Sequence, residues 1–335
     1  MHTFIDYSQY KTFIECEVKW LEKYFYQMQR EPRVGQKDDA RTLGSLVHEG
    51  LRTLRLTGKP EIPASATVQY MPTPEALAQA NSLLLGYVRA YPGEQDLTDR
   101  YFCEEPLRFP LECGWQGLAK IDSYFRVAEH RVIPDGLGSA VALRPGWWIH
   151  EYKTKDASRD LGNYIEGWRM NMQPSFQMMA LGEQINEPVV GVLVNVLEKS
   201  KPYYPKRVCK GCKTQSEFRN WIPASGLGEG VYICPLCNHT QLLEAPEAKA
   251  IKPNSYYRLV VEKTPEELHS HRNEINAVAM RMQDLSNLAW PVRATERCVD
   301  SVWGKCEYFD PHSVGQWAKD MRGFVPVEAL KYVNQ

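Results

Sequence analysis

Residues 149–155 read IHEYKTK, in which an apolar residue leads into an acid and a base two positions apart. The run predicts a strand. Side chains alternate between the two faces of a strand, so we expect Glu151 and Lys153 to point one way and Tyr152 the other. A cross-strand salt bridge on a solvated sheet face is the ordinary explanation for such a pair taken alone, so other residues have to decide its role.

An acid upstream can complete a metal site with this pair. The segment GLAKID (117–122) ends an apolar strand at Asp122. If that strand neighbours the strand that carries Glu151, the two carboxylates converge. Close carboxylates repel each other unless a cation lies between them, and oxygen ligands of this kind suit Mg²⁺ or Mn²⁺. A lysine beside the metal, here Lys153, can assist the attacking water and balance phosphate charge, which predicts phosphodiester hydrolysis.

A histidine on a predicted helix is the third candidate. Residues 39–57 follow the helical period, with an apolar stripe centred near Leu43 and Leu54. His48 falls off that stripe, on the side that also carries Arg55. It is therefore not expected to be a packed core histidine, and a surface histidine remains the alternative to a ligand.

The order of the predicted elements indicates a mixed α/β core. Short strands are predicted between residues 100 and 155, with a loop at 134–146, and a buried strand at 189–199. Helices are predicted at 8–30, 39–57, 75–91, 174–185 and 264–289, the last with a capping box from Thr264 to Glu267.

Composition limits the class of protein. The 335 residues suggest one large domain or two smaller ones, and the formal net charge of −1 restricts any nucleic-acid surface to a local patch. No apolar run reaches the roughly 18 residues of a membrane helix. The N-terminus shows no secretory signal, and nine cysteines, an odd number, argue against a disulfide framework. We expect a cytoplasmic protein without a membrane partner.

Residues 200–250 differ in composition and predict a small zinc-ribbon insertion. Two C-x2-C pairs separated by 21 residues fit a closed tetrahedral site for a structural Zn²⁺. The ligands are Cys209, Cys212, Cys234 and Cys237. The stretch KSKPYYPKRVCKGCK (199–213) suits a phosphate backbone and stacked bases, and a solvated rim explains it equally well.

Five segments together resemble the PD-(D/E)xK nuclease superfamily, in the branch of RecB-type nuclease domains and the CRISPR-associated and phage exonucleases. Each motif is weak alone, and their common order carries the resemblance. They are SQYKTFIECEVKWLEKY (8–24), GSLVHEGL (44–51), GLAKID (117–122), EYKTK (151–155) and the glutamine-bearing helix 173–181. The resemblance covers most of the chain except 200–250.

The resemblance implies a restriction-endonuclease-like fold, a mixed sheet core flanked by helices, formed by residues 1–199 and 251–335. It implies a site for Mg²⁺ or Mn²⁺. The ligands would be His48, Asp122, Glu151 and the backbone carbonyl of Tyr152, with Lys153 as catalytic lysine and Gln177 or Gln173 as the ordering glutamine.

Many members of this branch hold a [4Fe-4S] cluster that joins the two chain ends. The matching positions here are Cys16, Cys298, Cys306 and His312, where His312 stands in place of the last cysteine. An iron–sulfur cluster, a Cys₃His zinc site and a lost site all remain open. Near Cys16, the basic and aromatic residues Lys19, Trp20, Lys23 and Tyr24 are candidate DNA contacts.

The sequence thus favours a metal-dependent DNA nuclease, an exonuclease on single strands or duplex ends. Some members form rings, so the expected partners are DNA and either further copies of the chain or a recombination or CRISPR-type protein. A non-catalytic nucleic-acid-binding or assembly module that uses the zinc ribbon is the alternative, and an RNA-directed zinc-ribbon protein is a third.

Overall fold

The fold is built on a five-stranded mixed sheet, seen in a computed structural model of the chain. The structure describes residues 4–30, 39–92, 100–102, 106–156, 161–200, 206–217, 222–223, 231–234, 236–243, 254–287 and 324–326. The helices are α1 (Tyr7–Glu15), α2 (Glu17–Trp20), a π-helical turn (Leu21–Phe25), α3 (Asp39–Thr57), α4 (Ala64–Tyr70), α5 (Pro74–Ala90), α6 (Leu161–Arg169), α7 (Gln173–Ile185) and α8 (Pro265–Ser286).

The strands fall into the central sheet and several smaller ones. In chain order they are β1 (Phe4–Asp6), β2 (Met28–Arg30), β3 (Arg100–Phe102), β4 (Leu107–Pro110), β5 (Gln116–Ala119), β6 (Ser123–Val127), β7 (Arg131–Pro134), β8 (Ala140–Leu143), β9 (Gly146–Asp156), β10 (Val189–Lys199), β11 (Lys206–Val208), β12 (Gln215–Glu217), β13 (Ile222–Pro223), β14 (Val231–Ile233), β15 (Thr240–Leu242), β16 (Ser255–Glu262) and β17 (Phe324–Pro326).

The central sheet has the strand order β16-β10-β9-β6-β3. Its two longest strands, β9 and β10, are parallel, and the other pairs are antiparallel. A parallel pair is normally covered on both faces, so its sequence is apolar nearly throughout. The run VVGVLVNVLEK of β10 fits this rule, with only its second and last residues not fully buried. The prediction of a mixed α/β fold is confirmed.

Helices cover both faces of β9. Tyr152 packs with Leu46 and Leu83 in the cluster formed by α3 and α5. Ile149 packs on the other face, with Met178 of α7 and Trp168 of α6. The side chains at 149, 151 and 153 therefore face α6 and α7, while that at 152 faces α3 and α5, as the alternation predicts.

The prediction of one helix over 8–30 is wrong. The backbone is extended at Cys16, where φ is −167°, and the chain then runs through α2, the π-helical turn and β2. Tyr10, Phe13, Val18 and Trp20 are all buried, yet on one straight helix they would spread round the axis. The break at Cys16 allows the two short helices to bury their own apolar residues.

Two strand predictions also need correction. The segment 115–130 forms two strands in different sheets, because β5 pairs with β1 and β4 while β6 pairs with β9. The predicted loop 134–146 contains β8, which forms a hairpin with β7. The carboxylate of Asp135 accepts hydrogen bonds from the amides of Leu137 and Ser139 and closes that hairpin turn.

A second core lies beside the central sheet. The sheet β1-β5-β4 packs with α1, α7 and α8 around Phe109 and Phe176. The capping box of α8 is confirmed: Thr264 accepts from the amide of Glu267, and the Glu267 carboxylate accepts from the amide of Thr264. Within the part of the chain that the structure describes, no helix is long and apolar enough to cross a membrane.

Candidate active site

Asp122 lies where β5 ends and β6 has not yet begun. The ladder between β6 and β9 stops at the pair Ser123 and His150, so β6 offers no backbone partner to Tyr152. The Asp122 carboxylate fills that place, since its Oδ2 accepts a hydrogen bond of 2.9 Å from the Tyr152 amide. The N–H and C=O of one strand residue face the same neighbour, so the Tyr152 carbonyl is directed to this edge as well.

His48 reaches the same carboxylate from α3. Its Nδ1 lies 3.0 Å from Oδ1 of Asp122, and the two side chains are 35% and 23% exposed. Burial lowers the pKa of His48, but the negative charge of Asp122 outweighs it and raises that pKa above its ordinary value. Burial likewise raises the pKa of Asp122, and the His48 imidazolium outweighs that effect and lowers it. The pair therefore favours a charged histidine and an ionised aspartate.

Glu151 is held by three donors on the α6 and α7 face. Its side chain is 4% exposed, and Oε1 lies 2.6 Å from the ammonium group of Lys153. Gln173 donates to Oε1 at 2.8 Å, and Gln177 donates to Oε2 at 2.6 Å. Gln177 also donates to the carbonyl of Lys120, just ahead of Asp122. Of the two glutamines considered, both contact Glu151.

Lys153 is the partly exposed member of this group. Its ammonium lies 5.6 Å from the ring centroid of Trp168 in α6. Burial lowers the pKa of Lys153, but the charge of Glu151 and the hydrogen bond to it raise the pKa above its ordinary value, with a smaller contribution from Asp122. The lysine is therefore a stable cation beside both carboxylates.

The donor set fits a hard divalent cation. Two carboxylates, a backbone carbonyl and an imidazole are the ligands that Mg²⁺ and Mn²⁺ accept. Asp122 and Glu151 flank Tyr152, and they are close enough that the charge of Glu151 affects the pKa of His48. In the described residues, Oε1 of Gln177 is buried without a hydrogen-bond partner, so polar capacity remains beside Glu151.

Three groups at this site were not foreseen. Arg55 contacts the Ser123 hydroxyl, and its guanidinium also lies 3.0 Å from Nδ1 of His150 and 4.8 Å from the Tyr152 ring centroid. Its position two helical turns after His48 was the available signal. The others are Trp168, whose helix α6 was not predicted, and the side chain of Lys120, which shares a cavity with Asp122.

The four paired cysteines converge on one point. Their sulfurs lie within 4.8 Å of one another, with 3.5 Å between Cys209 and Cys237 and 3.9 Å between Cys212 and Cys234. Sulfurs held about 2.3 Å from a tetrahedral zinc are separated by about 3.8 Å. A hydrogen bond from Thr214 lowers the pKa of Cys212 to about 6, which favours the thiolate that binds metal. The group is able to hold a metal ion.

The N-terminal candidates do not form one exposed surface. Trp20 is fully buried, packs edge-on to Phe13 and hydrogen-bonds Gln9, so its prediction as a DNA contact is wrong. Lys19, Lys23 and Tyr24 are half-buried, and the Lys23 ammonium lies 5.2 Å from the Tyr24 ring centroid. Cys16 is buried and unpaired. The other cluster candidates, Cys298, Cys306 and His312, lie outside the described residues.

Comparisons with known proteins bear on the fold. No protein-family model matches the sequence, and no curated protein matches it. Among solved structures, the chain is similar to the crystal structure of a "Putative exonuclease" from Eubacterium rectale. The two share 12% sequence identity at a TM-score of 0.50, over 89% of this chain and 86% of that one. At this identity the likeness shows a shared fold, the mixed sheet with its flanking helices.

Proposed function

We propose that the protein is a metal-dependent nuclease that hydrolyses phosphodiester bonds of DNA, an exonuclease of the PD-(D/E)xK superfamily. One observation carries the proposal: Asp122 and Glu151 flank Tyr152, and the Lys153 ammonium lies 2.6 Å from Glu151. The shared fold with a protein described as an exonuclease supports it. A buried acid held by three donors is costly to keep for packing alone.

Asp122, Glu151, the Tyr152 carbonyl and His48 would hold Mg²⁺ or Mn²⁺. When bound, the cation supplies positive charge to the scissile phosphate and to the attacking water. His48 also orients Asp122 through the contact between its Nδ1 and Oδ1. Since one carboxylate is held from α3 and the other from α7, the two layers of helices together fix the spacing of the ligands.

Lys153 would position the attacking water and stabilise the charge that develops on the phosphate. Its raised pKa keeps it protonated at neutral pH, so it serves as a fixed positive charge rather than as the base. Gln173 and Gln177 would hold Glu151 in its ligand rotamer, because each amide donates to one of its oxygens. Such hydrogen bonds to a metal ligand orient it and tune its affinity.

The cysteine-rich segment would act as a structural module. We propose that residues 200–250 form a zinc ribbon inserted into the nuclease domain of 1–199 and 251–335, with Zn²⁺ on the four cysteines. DNA is the proposed partner and the cytoplasm the proposed location. A cluster held by Cys16, Cys298, Cys306 and His312 remains a hypothesis from the sequence.

The test is an assay of end-labelled single- and double-stranded DNA with Mg²⁺ or Mn²⁺, on wild type and Lys153→Ala, with an EDTA control. We expect metal-dependent cleavage in the wild type only. The variant should keep the fold and most DNA binding, because Lys153 is a partly exposed side chain. RNA of the same sequence tests the choice of substrate.

Two outcomes would overturn the proposal. Undiminished cleavage by Lys153→Ala would remove the lysine from the mechanism. No cleavage by folded wild type would favour the non-catalytic binding module, which the convergence of the four cysteines supports independently.

A further inference from the structure

A cavity of about 230 Å³ opens beside Asp122, on the α3 side of the candidate active site. It is much larger than the roughly 30 Å³ that one water molecule occupies in the liquid. Its lining includes His48, Arg52, Arg55, Lys120, Asp122 and Ser123. Glu151 and Lys153 face the opposite side of β9 and do not line it, so the metal ligand Asp122 stands between the two spaces.

The walls of this cavity favour an anion. Arg52, Arg55 and Lys120 contribute positive charge, and Glu49 and Asp122 contribute negative charge. Glu49 lies 3.7 Å from Arg52, and Asp122 is a proposed ligand of a divalent cation. With that cation bound, the local balance is strongly positive.

Arg55 has a fixed orientation at the inner wall. Its guanidinium contacts the Ser123 hydroxyl, lies 3.0 Å from His150 and stacks over the ring of Tyr152 at 4.8 Å. A guanidinium held in this way is already ordered, so little side-chain entropy is lost when it meets a ligand. Arg52 and Lys120 lie at the exposed mouth.

We infer that this cavity binds a phosphate group of the nucleic-acid substrate, one step along the strand from the bond that is cut. The inference rests on the proposed function for the identity of the ligand. Planar guanidinium groups match phosphate geometry, and Ser123 adds a hydroxyl donor. The cavity adjoins Asp122, so a strand whose scissile phosphate contacts the metal passes its next phosphate over Arg52 and Lys120.

The phosphate has two sources, a terminal monoester at a strand end or an internal diester. We therefore use four labelled oligonucleotides of one sequence, with a 5′-phosphate, a 3′-phosphate, both or neither. Binding to the full chain is measured by fluorescence anisotropy in EDTA at several salt concentrations. No hydrolysis is involved, so this result does not depend on catalysis.

The variants are Arg52→Ala and Lys120→Ala, both at exposed positions where folding is not at risk, and Arg55→Lys, which keeps the charge but loses the planar fork. Arg89→Ala is the matched control, because Arg89 is exposed on α5 outside the cavity. We expect affinity to fall about fivefold for each cavity variant, and the slope of log affinity against log salt to fall by about 0.7 for the two alanine variants.

The pattern over the four oligonucleotides assigns the source. Equal losses for all of them identify an internal phosphate, and losses confined to one phosphorylated end identify a terminal phosphate. Losses no greater than that of Arg89→Ala, with an unchanged salt slope, would overturn the inference.

Discussion

Nδ1 of His48 lies 3.0 Å from Oδ1 of Asp122, although 74 residues separate them in the chain. This contact joins α3 to the start of β6. The folded-state pKa of His48 is raised, so its contribution to stability is complete below its unfolded value of 6.5 and is lost as pH rises through the folded value. The pKa of Asp122 is lowered, so its contribution is present above 3.8 and is lost as pH falls through the folded value.

The ionic coupling between His48 and Asp122 is therefore expected to be greatest between about pH 4 and 6.5. A double-mutant cycle of His48→Gln and Asp122→Asn in EDTA, by urea unfolding at pH 5 and pH 9, measures it. We expect a coupling of about 1 kcal/mol or less at pH 5, because both groups are partly solvated, and a smaller one at pH 9. The exposed pair Lys11 and Glu15 is the control. A coupling that grows from pH 5 to pH 9 would contradict the assignment.

The two glutamines on Glu151 should differ in importance. Gln177 is fully buried and donates to both Glu151 and the Lys120 carbonyl, whereas Gln173 is half-buried. We expect Gln177→Leu to weaken Mn²⁺ binding about 10- to 100-fold, as is usual when a hydrogen bond to a metal ligand is lost. Gln173→Leu should have a smaller effect. Calorimetric titration with Mn²⁺ checks both.

Gln184→Leu is the control for this pair, since Gln184 is exposed on the same helix. Equal affinity in the Gln177 and Gln184 variants would show that Glu151 does not depend on its amide donors.

The residues foreseen at the site are those that local periodicity determines. Glu151 and Lys153 share a face of β9 because side chains alternate, and His48 lies off the apolar stripe of α3 because of the helical period. The apolar pattern of 115–130 continues across Lys120–Asp122, so nothing in it marked the end of β5. That break brings Asp122 to the Tyr152 amide, and only the pairing with β9 explains it.

The misjudged residues depend on contacts between distant segments. Trp20 follows basic residues and was assigned to a surface, but the break at Cys16 turns it into the core against Phe13. Lys155 was assigned no role, because its partner Glu198 lies 43 residues away on a parallel strand. A single sequence does not specify which parallel strands are neighbours.

The cysteine group should hold one metal ion per chain. We expect Cys209→Ser to abolish that ion, as measured by elemental analysis of the purified protein. A structural metal orders its own ligands, so amide hydrogen exchange should increase in residues 206–243 of the variant. Cys113→Ser is the control, because Cys113 lies outside the group. Unchanged metal content in Cys209→Ser would contradict the assignment.

Lys155 and Glu198 form a buried ion pair between β9 and β10. Their side chains are 1% and 10% exposed, and Nζ lies 2.9 Å from Oε2. The ammonium also lies 5.6 Å from the Tyr164 ring centroid. Removal of one partner leaves the other charge buried without compensation. We expect Lys155→Met to lower the free energy of unfolding by about 3–5 kcal/mol.

The same two strands provide a matched control for Lys155. Lys199 and Asp156 lie one residue further along, 3.0 Å apart, with side chains 18% and 42% exposed. Because water solvates that pair, Lys199→Met should cost only about 0–1 kcal/mol. The double variant Lys155→Met, Glu198→Leu should recover most of the loss, since it buries no unpaired charge. Urea unfolding measures all three. A loss in Lys155→Met no larger than in Lys199→Met would show that water reaches the buried pair and that it does not join β9 to β10.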